Sequence, residues 1–186
     1  MGGLGGAPED LAALMRSLCQ QSVAAGVLFW CQRTAIEFLV RSFNGALREH
    51  VLPDLLTFER AAAPPLSLDA LALTALEDER GLWLGGQLPS LANAQPQGVS
   101  LIVPVHTAQG SGWALVASEE DGVHLEPASF LPELQHTCPV RVRMDRVFFR
   151  PDEWLGDAAL LQKTEPARLA LGVLYRALLA TPAMCW

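Results

Sequence analysis

The side chains best equipped for chemistry in this 186-residue chain are four histidines, four cysteines and 20 carboxylates, and their spacing assembles no familiar site. His136-Thr137-Cys138 places two metal-ligating types close together, but His50, His106 and His124 are scattered. They read as structural or surface histidines, and no metal is expected. Cys19, Cys31, Cys138 and Cys185 show no Cys-x-x-Cys spacing and lie among apolar neighbours, as reduced thiols do, so no disulfide is expected. No Walker A loop, Gly-x-Ser-x-Gly or His-Glu-x-x-His occurs. Gly2-Gly3-Leu4-Gly5-Gly6 lacks the preceding strand that a phosphate-binding fingerprint needs and reads as a flexible end.

The net charge of -7, with only 13 Lys and Arg and no basic run, argues against nucleic acid, whose phosphates demand cations. No basic residue precedes Arg16 and no long apolar run opens the chain, so neither a signal nor a transit peptide is expected and a cytoplasmic setting follows. The most apolar window, Val23 to Cys31, is bounded by polar residues and is shorter than the roughly 20 residues of a membrane span.

The elements that would position any site fall into three blocks. Pro8, Glu9 and Asp10 start a helix reaching Gln21. Val23 to Phe43 continues with Val27, Trp30, Cys31, Thr34, Phe38 and Phe43 near one face, and Asn44-Gly45 reads as its stop. Ala46 to Phe58 is a third helix that Pro53 should split. After the Pro64-Pro65 loop, Asp69 to Leu76 suits strand or helix and is read as one arm of a hairpin with Leu82, Trp83 and Leu84. Val99 to Val105 and Trp113 to Ser118 are strand-like. Val140 to Phe149 alternates Val140, Val142 and Met144 against Arg141, Arg143 and Asp145. Asp157 to Glu165 is irregular, and Pro166 begins a last helix with Leu169, Val173, Leu174 and Leu178 along one side. The fold class expected is α+β, with N-terminal helices packed on a mainly antiparallel β-domain and one C-terminal helix. The blocks are 1–60, 61–156 and 157–186.

Four motifs in this order resemble the acyl-CoA dehydrogenase family of flavin enzymes. Gly2-Gly3-Leu4-Gly5 before Pro8-Glu9-Asp10-Leu11 looks like the family's Gly-Gly-x-Gly turn, and His50 to Leu55 resembles the segment that leads to its flavin loop. Gly86 to Ala94 is similar to its Gly-x-Lys-x-Trp-Ile-Thr-Asn-Gly, and Asp145 to Gly156 is similar to its Asp-x-Val-x-Val-Pro-x-x-x-x-Leu-Gly. The resemblance implies FAD as cofactor, acyl-CoA thioesters as substrates and a place in fatty acid metabolism. It assigns cofactor contacts to Ala62, Ala63, Ser67, Ser90, Ala92 and Asn93.

At these positions the chain departs from the family. Ala62 stands for a Thr, Leu68 for a Ser, Ser90 for a Trp and Ala92 for a Thr, so hydroxyls that would hydrogen-bond the flavin are lost and weak or absent FAD binding is expected. The family's catalytic base is a carboxylate of the C-terminal helical bundle. Glu165 is the one carboxylate following the Gly156-Asp157 turn and reads as a helix cap, so no catalytic residue is assigned. The chain is expected to stop within the first helix of that bundle. The resemblance thus implies a truncated dehydrogenase-like flavoprotein, incomplete or inactive alone, acting with homo- or hetero-oligomeric dehydrogenase partners. The alternatives are a non-catalytic subunit or assembly module of the same fold, or an unrelated helical-plus-β binding module.

Overall fold

A proline with no amide to satisfy, followed by two carboxylates at the positive end of the helix dipole, opens the first helix. In the computed structural model, which describes residues 8–66, 72–128 and 132–164, α1 spans Pro8–Gln21 and α2 spans Val23–Arg41. Ser22 alone separates them, and its hydroxyl accepts the Ala25 amide at 3.2 Å. Val27, Trp30, Cys31, Thr34, Ala35 and Phe38 form the buried face of α2. At 19 residues this helix is long and apolar enough to cross a bilayer by length and composition, and 61% of its apolar window is buried within the protein. It also buries Glu37, which pairs with Arg33 and Arg41 one turn to either side.

The end of α2 corrects the sequence reading. The helix stops at Arg41 and Ser42 turns to extended backbone, which leaves Phe43 71% exposed instead of on the buried face. Asn44-Gly45 starts a helix and does not end one: the Asn44 side chain accepts the Leu47 amide at 3.2 Å and caps α3, Gly45–His50. Pro53 does divide the next segment. The break falls at Val51, which leaves the proline in the first turn of α4, Leu52–Thr57, where its missing N–H costs nothing.

Eight strands follow: β1 Ala61–Ala63, β2 Leu73–Asp78, β3 Gly81–Leu91, β4 Val99–Thr107, β5 Gly110–Ala117, β6 Val123–Pro127, β7 Val140–Phe149 and β8 Trp154–Asp157. They form one sheet in the order β6-β7-β3-β2-β4-β5-β8, with β1 beside β4. Every pairing is antiparallel except β1 with β4 and β2 with β4. The expected hairpin is β2–β3, in which Leu76 faces Trp83; residues 67–71 lie outside the described residues. The short strands β1, β6 and β8 were not expected: Ala61 to Ser67 was read as a loop, and three, five and four residues carry too little alternation to read. A four-residue helix, α5 Leu160–Lys163, also stands within the segment read as irregular. The helix expected from Pro166 lies outside the described residues.

β7 has the expected bounds, but its alternation changes parity midway. Val140, Val142 and Met144 are buried, Arg146 adopts φ 52, and from there Val147 and Phe149 are the buried pair. Met144 faces Gly86 while Val147 faces Leu84, so two residues of β7 oppose one of β3 in a bulge. β4 is buried from Val99 through Val105, as a strand packed on both faces must be. One face contributes Ile102 to the layer under the helices, and the other contributes Leu101, Val103 and Val105 to a second cluster with Leu84, Leu88, Val142 and Met144.

The helices are joined to the sheet by aromatic packing. Phe38 of α2 meets Trp113 of β5 with ring centroids 4.7 Å apart and planes tilted by 51°. Both rings are almost wholly buried. Truncation of Phe38 to alanine is expected to lower unfolding free energy by about 3–5 kcal/mol through lost burial and a cavity, measured by urea denaturation; a loss under about 1 kcal/mol would show that this contact does not hold the layers together.

Candidate functional site

Helix α2 carries one carboxamide into its apolar face, and the site is built around it. Gln32 is 1% exposed. Its Nε2 donates to the carbonyls of Leu55 and Arg60, both at 2.9 Å. Its Oε1 accepts the Ala62 amide at 3.0 Å and Asn93 Nδ2 at 3.2 Å. A carboxamide has two N–H donors and two lone pairs, so Gln32 is saturated. Asn93 Nδ2 also donates to the Ala62 carbonyl at 3.0 Å, and its Oδ1 accepts from Gln95 Nε2 at 3.4 Å. Asn93 ends β3 in the left-handed region, φ 66, which asparagine tolerates better than most residues. Its amide donates to the Thr137 carbonyl at 2.6 Å, which fixes the turn.

This network brings together the two segments to which cofactor contacts were assigned. Ala62 and Asn93 are joined directly, and Pro65 forms an antiparallel bridge with Leu91. Ala62 and Ala92 are fully buried under the helices, while Ala63 faces the second cluster. Ser90 lies in β3, and Ser67 lies outside the described residues. At Ala62, Ala63 and Ala92 there is thus neither a side-chain polar atom nor exposed surface, and the Asn93 amide hydrogens are spent inside the chain. Burial also pushes the neighbouring Cys31 thiol well above its usual range, partly offset by a backbone hydrogen bond with Ala92, so it stays protonated.

The sequence reading missed Gln32. Its only local signal is a polar residue at the edge of an apolar helical face. It also missed Arg60, whose guanidinium grips both oxygens of Glu119 at 2.9 Å and donates to Ser100 Oγ at 2.7 Å. The Arg60 hydrogen bond, opposed by partial desolvation, holds the Glu119 carboxyl down to about 2.

Beside the Gln32 network lies a cleft of about 630 Å³, with Leu28, Phe29, Phe58, Glu59, Gln95 and Gln97 among its lining residues. A smaller cavity of about 360 Å³ shares Gln95, Gln97 and Gly98 and is lined further by Ser118, Glu119 and Leu125. Among the described residues, no group of three or more His, Cys, Asp or Glu converges as metal ligands.

A second buried polar group on α2 gives an internal control. Thr34 is fully buried and its hydroxyl has no hydrogen-bond partner among the described residues. Gln32→Leu is expected to cost about 3 kcal/mol or more, since it strands the Ala62 amide and two carbonyls. Thr34→Val is expected to gain about 1 kcal/mol by removing an orphan hydroxyl. Equal effects of the two substitutions in thermal and urea unfolding would show that the Gln32 bonds contribute nothing specific.

No family model and no curated protein matches the sequence. Solved structures do match in fold. Glutaryl-CoA dehydrogenase from Mycobacterium smegmatis superposes with a TM-score of 0.79 at 15% identity, covering 93% of this chain and 48% of the other. Apo-form PigA gives 0.77 at 19%, covering 96% and 51%, and dibenzothiophene monooxygenase TdsC from Paenibacillus sp. A11-2 gives 0.72 at 18%, covering 95% and 49%. The chain spans about half the length of these structures. With helices and β-sheet in the order expected, this chain has the acyl-CoA dehydrogenase-like fold.

Proposed function

We propose that this chain is a unit of an acyl-CoA dehydrogenase-like flavoprotein, of the oxidoreductase type that acts on CH–CH groups of acyl-CoA thioesters with FAD, and that alone it holds FAD weakly or not at all and does not turn over. It acts in a homo- or hetero-oligomer with a dehydrogenase subunit, which supplies cofactor contacts that Ala62 and Ala92 do not. A cytoplasmic setting belongs to the same proposal. The observation that carries it is the saturation of Gln32 and of the Asn93 amide hydrogens within the chain. An isoalloxazine ring needs donors and acceptors along its polar edge, and alanines 62 and 92 offer none. At about 0.5–1.5 kcal/mol per hydrogen bond, two missing hydroxyls weaken binding by roughly one to two powers of ten. When bound in a complete assembly, flavin would supply the hydride acceptor.

The solved structures of this fold carry both dehydrogenase and monooxygenase names, so the reaction type rests on the motif resemblance and not on the fold.

The test is direct. The purified 186-residue chain is expected to be colourless, to retain no FAD through gel filtration at micromolar concentration, and to reduce no dye acceptor when given acyl-CoA thioesters. A flavin spectrum bleached by an acyl-CoA would overturn the proposal. Ala92→Thr is expected to cost about 1–3 kcal/mol, because a hydroxyl and a methyl must enter a closed core beside Cys31. Tolerance of that threonine together with gained FAD affinity would show that the position opens onto a cofactor space.

A further inference from the structure

The cleft beside the Gln32 network has a chemistry of its own. Leu28 and Phe29 of α2 contribute apolar surface, Phe58 an aromatic ring, Gln95 and Gln97 carboxamides, and Glu59 the one ionisable group among the described lining residues. Its volume of about 630 Å³ suits a small organic molecule. Two features mark the 58–59 corner, where the chain turns out of α4 and the Arg60 amide donates to the Asp54 carbonyl at 3.2 Å. Phe58 occupies the left-handed region, φ 61 and ψ 18, a costly backbone for a bulky residue, yet its ring is 67% exposed, so burial does not offset the strain. Glu59 forms no ion pair and Gln97 no side-chain hydrogen bond among the described residues. The adjacent cation is unavailable to either, since Arg60 is held by both oxygens of Glu119.

The charge pattern selects the ligand. Among the described residues no Lys or Arg lines the cleft, and the Arg60 guanidinium beside Gly98 is already paired with Glu119, so a carboxylate or phosphate entering it would find no unpaired cation there and Glu59 would repel it. A cation meets the opposite situation: an unpaired carboxylate, a free carboxamide oxygen and the faces of Phe29 and Phe58, which attract positive charge through their ring quadrupoles. We propose that this cleft binds a small protonated amine with an apolar or aromatic body, the ammonium at Glu59, Gln97 and Phe58 and the body against Leu28 and Phe29. The strained Phe58 then has a function, because the left-handed turn after α4 presents its ring at the cleft. Binding requires neither flavin nor a partner subunit.

Calorimetric titration of the full chain at neutral pH with 2-phenylethylamine, and in parallel with 3-phenylpropanoate, which carries a carboxylate in place of the ammonium on the same two-carbon spacer, tests this. Saturable binding of the amine and none of the anion is expected. Glu59→Gln, on the surface and safe for folding, should weaken the amine by about tenfold or more, as loss of a charge-assisted hydrogen bond does. Phe58→Gly separates function from structure: it should weaken the amine while raising the melting temperature by about 2–4 °C through relief of the left-handed backbone. No amine binding, equal binding of amine and anion, or amine affinity unchanged in both variants would each overturn the proposal.

Discussion

A carboxamide survives in an apolar interior only if both its N–H groups and both its lone pairs find partners, because each unpaired buried polar atom costs about 1–3 kcal/mol. Gln32 meets that condition with four bonds to three separate segments: α4, the 60–62 entry to β1, and the turn after β3. Aromatic packing of Phe38 on Trp113 holds the helices to the sheet without direction, as hydrophobic contacts do. Gln32 supplies the direction. It sets the depth of α2 relative to β1 and fixes where β3 must end.

The same saturation limits what the junction does. The segments at 61–66 and 91–95 lie together. Their hydrogen-bonding capacity is directed inward. A threonine at 62 or 92 would carry a hydroxyl outside this inward network, whereas alanine completes the packing around Cys31 and Ile102. Stability of the helix–sheet joint and affinity for a polar cofactor edge therefore compete for the same few atoms, and in this chain the joint has them. The cleft next to it is left with Glu59 and the carboxamide of Gln97, groups not spent on holding the fold among the described residues.

What was legible in the sequence follows the range of the interactions. The bounds of α1 agree to the residue because its proline, its first-turn carboxylates and its apolar spacing are all local. β7 was legible for the same reason, but the bulge at Arg146 was not, since it depends on pairing with a strand more than fifty residues away. Asn44 was read as a stop because asparagine and glycine suit either end of a helix; what decides is the Leu47 amide and the Asp152 and Trp154 carbonyls, which lie across the fold. Gln32 was invisible for a sharper reason. A single glutamine beside an apolar stripe is normally solvated, and only the arrival of Ala62 and Asn93 makes it the centre of a site.

The most direct measurement is the nuclear magnetic resonance spectrum of 15N-labelled protein, following the Ala62 backbone amide and the Asn93 side-chain amide as FAD is added. If Gln32 has claimed both groups, the two signals stay at their positions, and the Ala62 amide keeps its slow exchange with solvent, to a large excess of FAD. Saturable shifts of both signals at stoichiometric FAD would contradict this, and would mean that the junction opens to hold the cofactor.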